Sequence, residues 1–211
     1  MKPWLFDILA CPICKNFPLK LYIFSFETEP DEFQNAITIY EKRDLDYIKN
    51  EKVIEIIEEN GDIFIRDEIV IEKTSLDNYL KLTLSSIEEL NNIFDKSGNE
   101  FSKKSIDIIT KEIKGRIIEF SKNPDIKEID NILPELYFIN KIKIETEIES
   151  GLFLCEGDGC NRWYPIIETI PMLLPDDARE RYKEKEIEFL KTNKNLFEDE
   201  FFNKELKPYN I

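Results

Sequence analysis

The chain has 211 residues, a hydrophobic content of 42% and a formal net charge of −15 at neutral pH. This length suits one domain with a large insertion or two small domains, and the hydrophobic content excludes wholesale disorder. The negative charge disfavours direct binding to nucleic acid, because sequence-independent affinity for phosphate depends on lysine and arginine. No stretch of the sequence approaches the roughly 18–20 apolar residues of a membrane span.

The chain begins with a short apolar segment, residues 1–10, whose apolar side chains have a helical or turn-like spacing. Residues 8–11 read Ile-Leu-Ala-Cys and resemble a lipoprotein cleavage box, but Asp7 lies where such a signal requires an apolar residue. We therefore expect a cytoplasmic protein without a membrane segment. Apolar residues then alternate with lysine and aromatic residues over 19–24, which predicts a strand with one buried face and one aromatic face.

From residue 32 to residue 140 the pattern changes, and this stretch is predicted to be an inserted, mainly helical module. Apolar residues over 45–57 fit a helix loosely, with Gly61 as its end. Residues 62–65 and 69–71 are short apolar runs separated by charged residues, and they are predicted to pair as a hairpin.

Three helices are predicted in the second half of this module. Residues 85–89 read Ser-Ser-Ile-Glu-Glu, a capping-box pattern that indicates a helix start. Isoleucines and a phenylalanine recur every three or four residues over 106–120, with Ser102 as the expected cap and a break at Pro124. A last short helix is expected over residues 126–133. None of these segments carries a chemical motif.

The strand pattern returns in the last third of the chain. Apolar and charged residues alternate over 142–148, and the apolar run 152–154 follows. Further strands are predicted over 163–167 and 170–174. Residues 176–211 begin with two aspartates, which favour a helix N-terminus, and are predicted to form a solvated helical tail with one weak apolar stripe.

The four cysteines are the main chemical signal in a chain that contains no histidine. They form two close pairs, and two thiolate pairs can complete the tetrahedral shell of one metal ion. Zinc is the expected cofactor, and a closed four-sulfur shell predicts a structural role. Disulfides remain an alternative, since they occur in heat-adapted intracellular proteins with such Ile-, Lys- and Glu-rich compositions. The predicted metal ligands are Cys11, Cys14, Cys155 and Cys160.

These features predict an α+β fold. Residues 1–31 and 141–175 would form a small antiparallel β domain with a four-cysteine zinc knuckle, built from both ends of the chain. The insert would occupy residues 32–140 and the C-terminal helical tail residues 176–211. The sequence shows neither a nucleophile–base system nor a glycine-rich nucleotide-binding turn, so we expect a scaffold and not an enzyme.

Two segments of the chain resemble one known family. They are Leu5-Phe6-Asp7-Ile8-Leu9-Ala10-Cys11-Pro12-Ile13-Cys14 and Gly159-Cys160-Asn161-Arg162-Trp163-Tyr164-Pro165-Ile166-Ile167-Glu168-Thr169-Ile170-Pro171-Met172-Leu173-Leu174-Pro175. Together they are similar to the zinc-binding methyltransferase activator subunit of eukaryotes and archaea. The resemblance implies a non-catalytic partner that forms heterodimers with class I methyltransferases acting on tRNA, rRNA or translation release factors.

The resemblance also implies how the partner is bound, by edge-strand addition and apolar contacts. No direct small-molecule substrate is implied, and nucleic acid would be bound only through the partner. Thr169 stands where the family usually has glycine, so the turn before the pairing segment could differ. The implied pairing residues are Pro171, Met172, Leu173 and Leu174, and the implied apolar contacts are Ile8, Leu9, Ile166, Ile167 and Ile170.

Two other functions remain open on the sequence alone. A free-standing zinc ribbon could bind nucleic acid or the transcription machinery, although Lys103-Lys104 is the one tight basic pair beside an aromatic residue that suits this role. A redox protein with iron in the four-sulfur site is the second alternative, because a Cys-Pro-Ile-Cys sequence also suits iron.

Overall fold

The computed structural model describes residues 1–197 and 205–210, and a five-stranded sheet lies at its centre. Its strands are β1 (Lys20–Phe26), β4 (Ile93–Asp95), β5 (Ile148–Leu154), β6 (Trp163–Ile167) and β7 (Ile170–Pro171). The order across the sheet is β4-β1-β5-β6-β7, with β4 parallel to β1 and the other neighbours antiparallel. This mixed architecture, with the cysteines clustered together, confirms the predicted fold class.

One face of the sheet packs on the N-terminal segment. A 3₁₀-helix, Pro3–Ile8, places the buried Phe6 ring against Phe153 of β5, with the ring centroids 6.1 Å apart. The register of β5 and β6 sets Phe153 opposite Tyr164. We call the buried residues of this face the knuckle core; they are Met1, Phe6, Cys11, Leu19, Leu21, Ile23, Ile148, Phe153, Cys155, Cys160, Tyr164 and Ile166.

Six helices form most of the inserted segment. They are α1 (Pro30–Lys42), α2 (Leu45–Glu51), α3 (Leu76–Glu89), α4 (Glu100–Asp107), α5 (Lys114–Ser121) and α6 (Leu133–Asn140). A π-helical segment, Ile108–Ile113, joins α4 to α5, so the predicted helix over 106–120 is confirmed. Its cap is Asn99, not Ser102, because the Asn99 side chain accepts hydrogen bonds from the N–H groups of Phe101 and Ser102.

The hairpin in the insert is formed by a different pair of strands from the predicted one. Strand β2 (Glu55–Glu59) pairs with β3 (Asp62–Arg66), so the prediction that 62–65 pairs with 69–71 is wrong. The helix predicted over 45–57 also ends early, at Glu51. Asn60 and Gly61 connect the two strands with φ of 53° and 87°, since a two-residue hairpin turn favours positive φ at both positions. The Asn-Gly pair between two apolar runs is the sequence signal from which this hairpin could have been predicted.

Two further predicted boundaries are corrected. Helix α3 begins at Leu76, with the Ser75 side chain as its cap, and residues 85–89 lie at its end and not at its start. The strand predicted from residue 142 is wrong, since Lys141–Glu145 continues α6 as a π-helical segment. Ile142 lies in the buried core of the insert, and packing there determines the helical conformation of this segment.

The C-terminal tail covers the second face of the sheet. It contains α7 (Asp176–Arg179), α8 (Lys183–Thr192) and two short 3₁₀-helices, Glu180–Tyr182 and Lys194–Leu196. The predicted helical tail is present and most side chains of α8 are exposed, while its apolar stripe packs against the sheet. The buried residues of this contact, the tail core, are Phe24, Leu152, Leu154, Trp163, Leu190, Leu206 and Tyr209. The rest of the predicted tail, residues 198–204 and 211, lies outside the described residues.

A buried ionic cluster joins the N-terminal segment to the insert. The fully buried Lys143 amine donates to both carboxylate oxygens of Asp7 at 2.6 Å and to the Ser86 hydroxyl at 2.6 Å. The domain boundaries remain a prediction, and β4 of the predicted insert joins the central sheet. Within the described part of the chain, no helix is long and apolar enough to cross a membrane.

Candidate metal centre and sheet edge

The first cysteine pair lies on a tight turn, which we call the first knuckle (residues 11–14). The Cys11 N–H donates to the Asn16 carbonyl at 3.1 Å, and the Lys15 N–H donates to the Cys11 carbonyl at 3.0 Å. Lys15 has a φ of 61°, which reverses the chain directly after the second cysteine. The turn therefore directs both thiols of this pair to the same side.

The second cysteine pair lies on a wider turn between β5 and β6, the second knuckle (residues 155–160). The Cys155 N–H donates to the Arg162 carbonyl at 2.7 Å, and the Cys160 N–H donates to the Gly157 carbonyl at 2.8 Å. A Cβ atom on Gly157 would lie 3.1 Å from Cys14 Sγ and 3.0 Å from the Cβ of Asn16. Glycine at this position therefore lets the two knuckles approach each other.

The two knuckles bring all four thiols to one point, with every Sγ atom within 4.8 Å of the others. The Cys11–Cys160 and Cys14–Cys155 sulfur separations are 3.8 and 3.4 Å. Tetrahedral zinc with Zn–S bonds of about 2.3 Å would place its sulfurs about 3.8 Å apart. A disulfide requires about 2.05 Å, and all four cysteines are free. The donor set fits a metal ion, and the predicted ligands are brought together.

Two polar residues contact the sulfurs, and a third positions one of them. The Tyr164 hydroxyl lies 3.2 Å from Cys11 Sγ, and the Arg162 Nη1 atom lies 3.5 Å from Cys160 Sγ. The Asp176 carboxylate accepts three hydrogen bonds from the same guanidinium group, at 2.8–3.1 Å, and fixes its position. Arg162 and Tyr164 lie within the motif that carried the family resemblance, but a role around the metal was not predicted for them.

Hydrogen bonding and burial act differently on the individual thiols. Burial raises the pKa of Cys11, but hydrogen bonds from Tyr164 and the backbone outweigh it and lower that pKa to about 7. Burial raises the pKa of Cys155 well above its usual value. A bound cation would stabilise the thiolate form of buried cysteines, since metal binding requires them deprotonated. The centre is therefore suited to hold a divalent metal and to release protons when it does.

The outer edge of β6 is largely occupied by the chain itself. Lys207 of the tail donates its N–H to the Asn161 carbonyl at 3.0 Å and accepts from the Trp163 N–H at 3.2 Å. The Trp163 carbonyl accepts from Arg179 Nη1 at 2.7 Å, and the Pro165 carbonyl accepts from the Met172 N–H at 2.9 Å. A strand of another chain could pair here only by displacing these contacts.

The outer side of the next strand, β7 (Ile170–Pro171), carries no further strand in the described part of the chain. Beyond β7 the chain turns, since the Leu174 N–H donates to the Met172 carbonyl at 2.9 Å. Among the described residues we find no hydrogen-bond partner for the Leu173 N–H. The turn before β7 has φ of 50° at Glu168 and 65° at Thr169, so threonine adopts here the left-handed conformation that favours glycine. The turn forms despite the absent glycine.

The structure places the residues implied for partner contact in three environments. Ile8 and Ile170 are 65% and 59% exposed. Ile166 is fully buried in the knuckle core, so its side chain is not exposed to a partner in the free chain. The half-buried residues Leu9, Ile167, Pro171, Met172, Leu173 and Leu174 remain predicted contacts.

A four-cysteine centre that joins two distant parts of a sheet, with a helical segment inserted between them, defines a small cysteine-knuckle protein with a candidate metal site. The family model described as Trm112p-like protein matches residues 2–168. The chain therefore belongs to the Trm112p-like family, the family of non-catalytic methyltransferase activator subunits, which confirms the resemblance. No curated protein and no solved structure matches the chain. The tail packed on the sheet lies beyond the matched residues.

Proposed function

We propose that this protein is an activating and stabilising subunit of class I S-adenosylmethionine-dependent methyltransferases that act on tRNA, rRNA or a translation release factor. Membership of the Trm112p-like family supports an activator role. The observation that carries the binding mode is the unpaired edge of β7 beside an exposed isoleucine, Ile170. The partner would bind the methyl donor and perform the chemistry.

The partner would extend the central sheet by one strand at Pro171–Leu174. On the outer side of β7, Pro171 offers a carbonyl, and the segment Met172–Leu174 would have to become extended to add its own backbone groups to the pairing. The neighbouring edge of β6 is occupied by Lys207, Arg179 and Met172, which favours β7 as the pairing site. Contact with Ile8 and Ile170 would bury their exposed side chains and stabilise the heterodimer.

Zinc would be structural in this proposal. The four cysteines would hold it in a closed shell, leaving no position for a substrate or a reactive water. Its contribution would be to fix the N-terminal segment, which carries Ile8, relative to the strand pair β6–β7. The same centre would stabilise the free subunit until a partner binds.

The net charge of −15 is consistent with this division of labour. A strongly acidic subunit repels bare RNA, so the RNA-binding surface would belong to the methyltransferase. The acidic subunit would contact nucleic acid only through its partner. We place the complex in the cytoplasm.

A native pull-down from lysate of the source organism, with mass spectrometry of the bound chains, tests this function. We expect one or more class I methyltransferases that survive a high-salt wash, and each pair should then be reconstituted from purified subunits and assayed for methyl transfer. Recovery of RNA or transcription proteins without a methyltransferase would contradict the proposal. A red protein with iron in the four-cysteine centre would contradict the structural zinc.

A further inference from the structure

A groove with a volume of about 470 Å³ lies between the N-terminal 3₁₀-helix, helix α3 and the segment around Ile71. Four of its apolar side chains are between 45% and 67% exposed: Ile8, Phe17, Ile71 and Leu82. Two of these belong to the N-terminal segment and two to the insert, so the groove crosses the junction between them. A cluster of exposed large apolar side chains in a concave surface is typical of a binding site.

The polar residues of the groove are acidic. Asp7, Glu72 and Glu89 line it, and none of the described lining residues is a lysine or an arginine. Asp7 is already paired with Lys143 beneath the groove. The Oε2 atom of Glu89, in contrast, is buried and has no hydrogen-bond partner in the described part of the chain. A buried carboxylate oxygen without a donor is unfavourable, so a ligand that supplies one would be stabilised here.

The charges around Glu89 also favour a cationic ligand at this position. Burial raises the pKa of its carboxyl group, and the nearby negative charge of Asp7 raises it further. Lys143, already bonded to Asp7 and Ser86, and a hydrogen bond between the side chains of Asn92 and Glu89 act in the opposite direction. An added positive charge beside Glu89 would therefore be favourable.

We propose that this groove binds a segment of a partner polypeptide in which apolar side chains flank a lysine or an arginine. The apolar side chains would lie among Ile8, Ile71 and Leu82, and the cationic side chain would lie beside the Glu89 carboxyl group at the groove wall. An arginine suits the site well, since its guanidinium group offers five donors in a planar array.

The charges distinguish this occupant from others. An acidic segment or an anionic lipid surface would be repelled by Asp7, Glu72 and Glu89, and also by the net charge of −15. A second copy of the chain carries the same net charge and is disfavoured for that reason. A purely apolar ligand would leave the Glu89 oxygen without a donor. A basic and apolar segment satisfies both features of the groove.

The experiment uses the full chain with methyl-labelled isoleucine and leucine, followed by NMR. Three probes are titrated separately, the blocked tripeptides acetyl-Leu-Arg-Leu-amide, acetyl-Leu-Gln-Leu-amide and acetyl-Leu-Glu-Leu-amide. We expect saturable shifts of the Ile8, Ile71 and Leu82 methyl signals, with the arginine peptide binding about tenfold more tightly than the glutamate peptide. Ile118, an exposed residue of α5 outside the groove, is the internal control and should not shift.

Two variants separate charge recognition from apolar contact. Glu89→Gln should remove most of the preference for the arginine peptide, while Glu128→Gln, the same change at an exposed residue of the insert, should preserve it. Equal binding of the three peptides to the wild-type chain would overturn the proposal in favour of a purely apolar groove. Groove shifts that depend on protein concentration without peptide would assign the groove to self-association, and absence of groove shifts would also refute it.

This inference does not rest on the methyltransferase proposal, because the probes are added to the free chain. Variants of Ile170 on β7 test the proposed strand addition without altering the groove residues. Failure of the peptide titration would therefore leave the methyltransferase proposal intact, and absence of a methyltransferase in the pull-down would leave the groove to be judged by its own experiment.

Discussion

The hydroxyl group of Tyr164 lies 3.2 Å from the Sγ atom of Cys11, across the buried interior of the knuckle core. This contact joins the middle of β6 to the first knuckle, which is distant in sequence. A hydroxyl donor to a thiolate stabilises its charge and fixes the direction of the sulfur lone pairs. The strand beside the proposed partner edge is thereby connected to the metal centre.

Replacing Tyr164 with phenylalanine should weaken zinc binding by about tenfold, because such outer-sphere contacts contribute 10- to 100-fold to metal affinity. The ring would still fill the core, so the fold should persist. Competition with a chromophoric chelator measures the affinity. Tyr47→Phe, a change at an exposed residue of α2, is the matched control and should bind zinc as the wild type does. An unaltered affinity for Tyr164→Phe would show that the hydroxyl contact is dispensable.

Removal of the metal should destabilise the two knuckles together. Structural zinc contributes roughly 10–16 kcal/mol of apparent binding energy in small peptides, so chelation should lower the melting temperature sharply. Cys11→Ser and Cys160→Ser should each have the same effect, since the two residues belong to different knuckles of one centre. Circular dichroism during heating, with zinc added back to the chelated wild type, provides the measurement. A melting temperature unchanged in either variant would refute a structural role for the centre.

Changes at the β7 edge should weaken a methyltransferase complex without unfolding the subunit. Ile170→Glu places a charge on a side chain that is exposed in the free protein, and Met172→Lys places one on a half-buried side chain nearby. We expect each to weaken binding by about tenfold or more, as for a central interface residue. Isothermal titration calorimetry with a purified methyltransferase measures this. Ile56→Glu, an exposed residue of β2, is the control, and equal binding by all variants would place the interface elsewhere.

The buried pair Arg179–Glu186 should be essential to tail packing. The guanidinium group bonds to Glu186 at 2.6 Å and to the Trp163 carbonyl at 2.7 Å, and both side chains are buried. Arg179→Met leaves a buried carboxylate unpaired and should cost about 3–5 kcal/mol of unfolding free energy. The double change Arg179→Met with Glu186→Leu should recover much of this loss. Urea unfolding measures each value.

The control for this prediction is Arg181→Met, which removes an exposed arginine two residues further along the tail. A surface cation of this kind contributes about 1 kcal/mol or less. If Arg179→Met were no more destabilising than Arg181→Met, the tail would not depend on its buried ion pair. A double variant less stable than Arg179→Met would show that Glu186 has a separate stabilising partner.

The raised pKa of Glu89 predicts a specific dependence of stability on pH. Burial, followed by the Asp7 charge, makes the folded state hold the Glu89 proton more tightly than the unfolded state does. This stabilisation is fully present below the unfolded-state pKa of about 4.3 and is lost as the pH rises through the folded-state pKa. Glu89→Gln should therefore gain stability relative to the wild type as the pH is raised from about 4 to about 7.

Chemical denaturation of both proteins across this pH range provides the test. Glu89→Leu also removes the charge and should show the same trend relative to the wild type. A difference in unfolding free energy that stays constant with pH, or that changes in the opposite direction, would contradict the environment described for this carboxyl group.

The helix that runs through α4 and α5 shows why some elements could be predicted from local sequence. Residues 106–120 carry apolar side chains at helical spacing, and the helix forms there because one stripe can be buried in the core of the insert. The strand over 163–167 was predicted correctly as well, from a run of aromatic and β-branched residues. Short-range patterns of this kind need no knowledge of which element packs opposite.

Residues 142–146 show where such patterns failed. Their alternation of apolar and charged residues fits a strand, yet residues 142–145 belong to a π-helical segment, because Ile142 packs in the insert and Lys143 reaches Asp7 and Ser86. In the sequence, Lys143 lies 57 positions from Ser86 and 136 positions from Asp7. Spacing alone contains no information about such partners.

By itself, the sequence identified the four residues of the candidate metal centre and the family. Four cysteines without a histidine leave thiols as the candidate metal donors, and the segments around them carry the family motif. Only the tertiary structure decided which surfaces are free. The tail buries the second face of the sheet and occupies the edge of β6, while Ile166 is enclosed and Ile170 stays exposed. Burial depends on how elements that are distant in sequence pack together. A sequence pattern shows which side chains could be buried but not which element covers them.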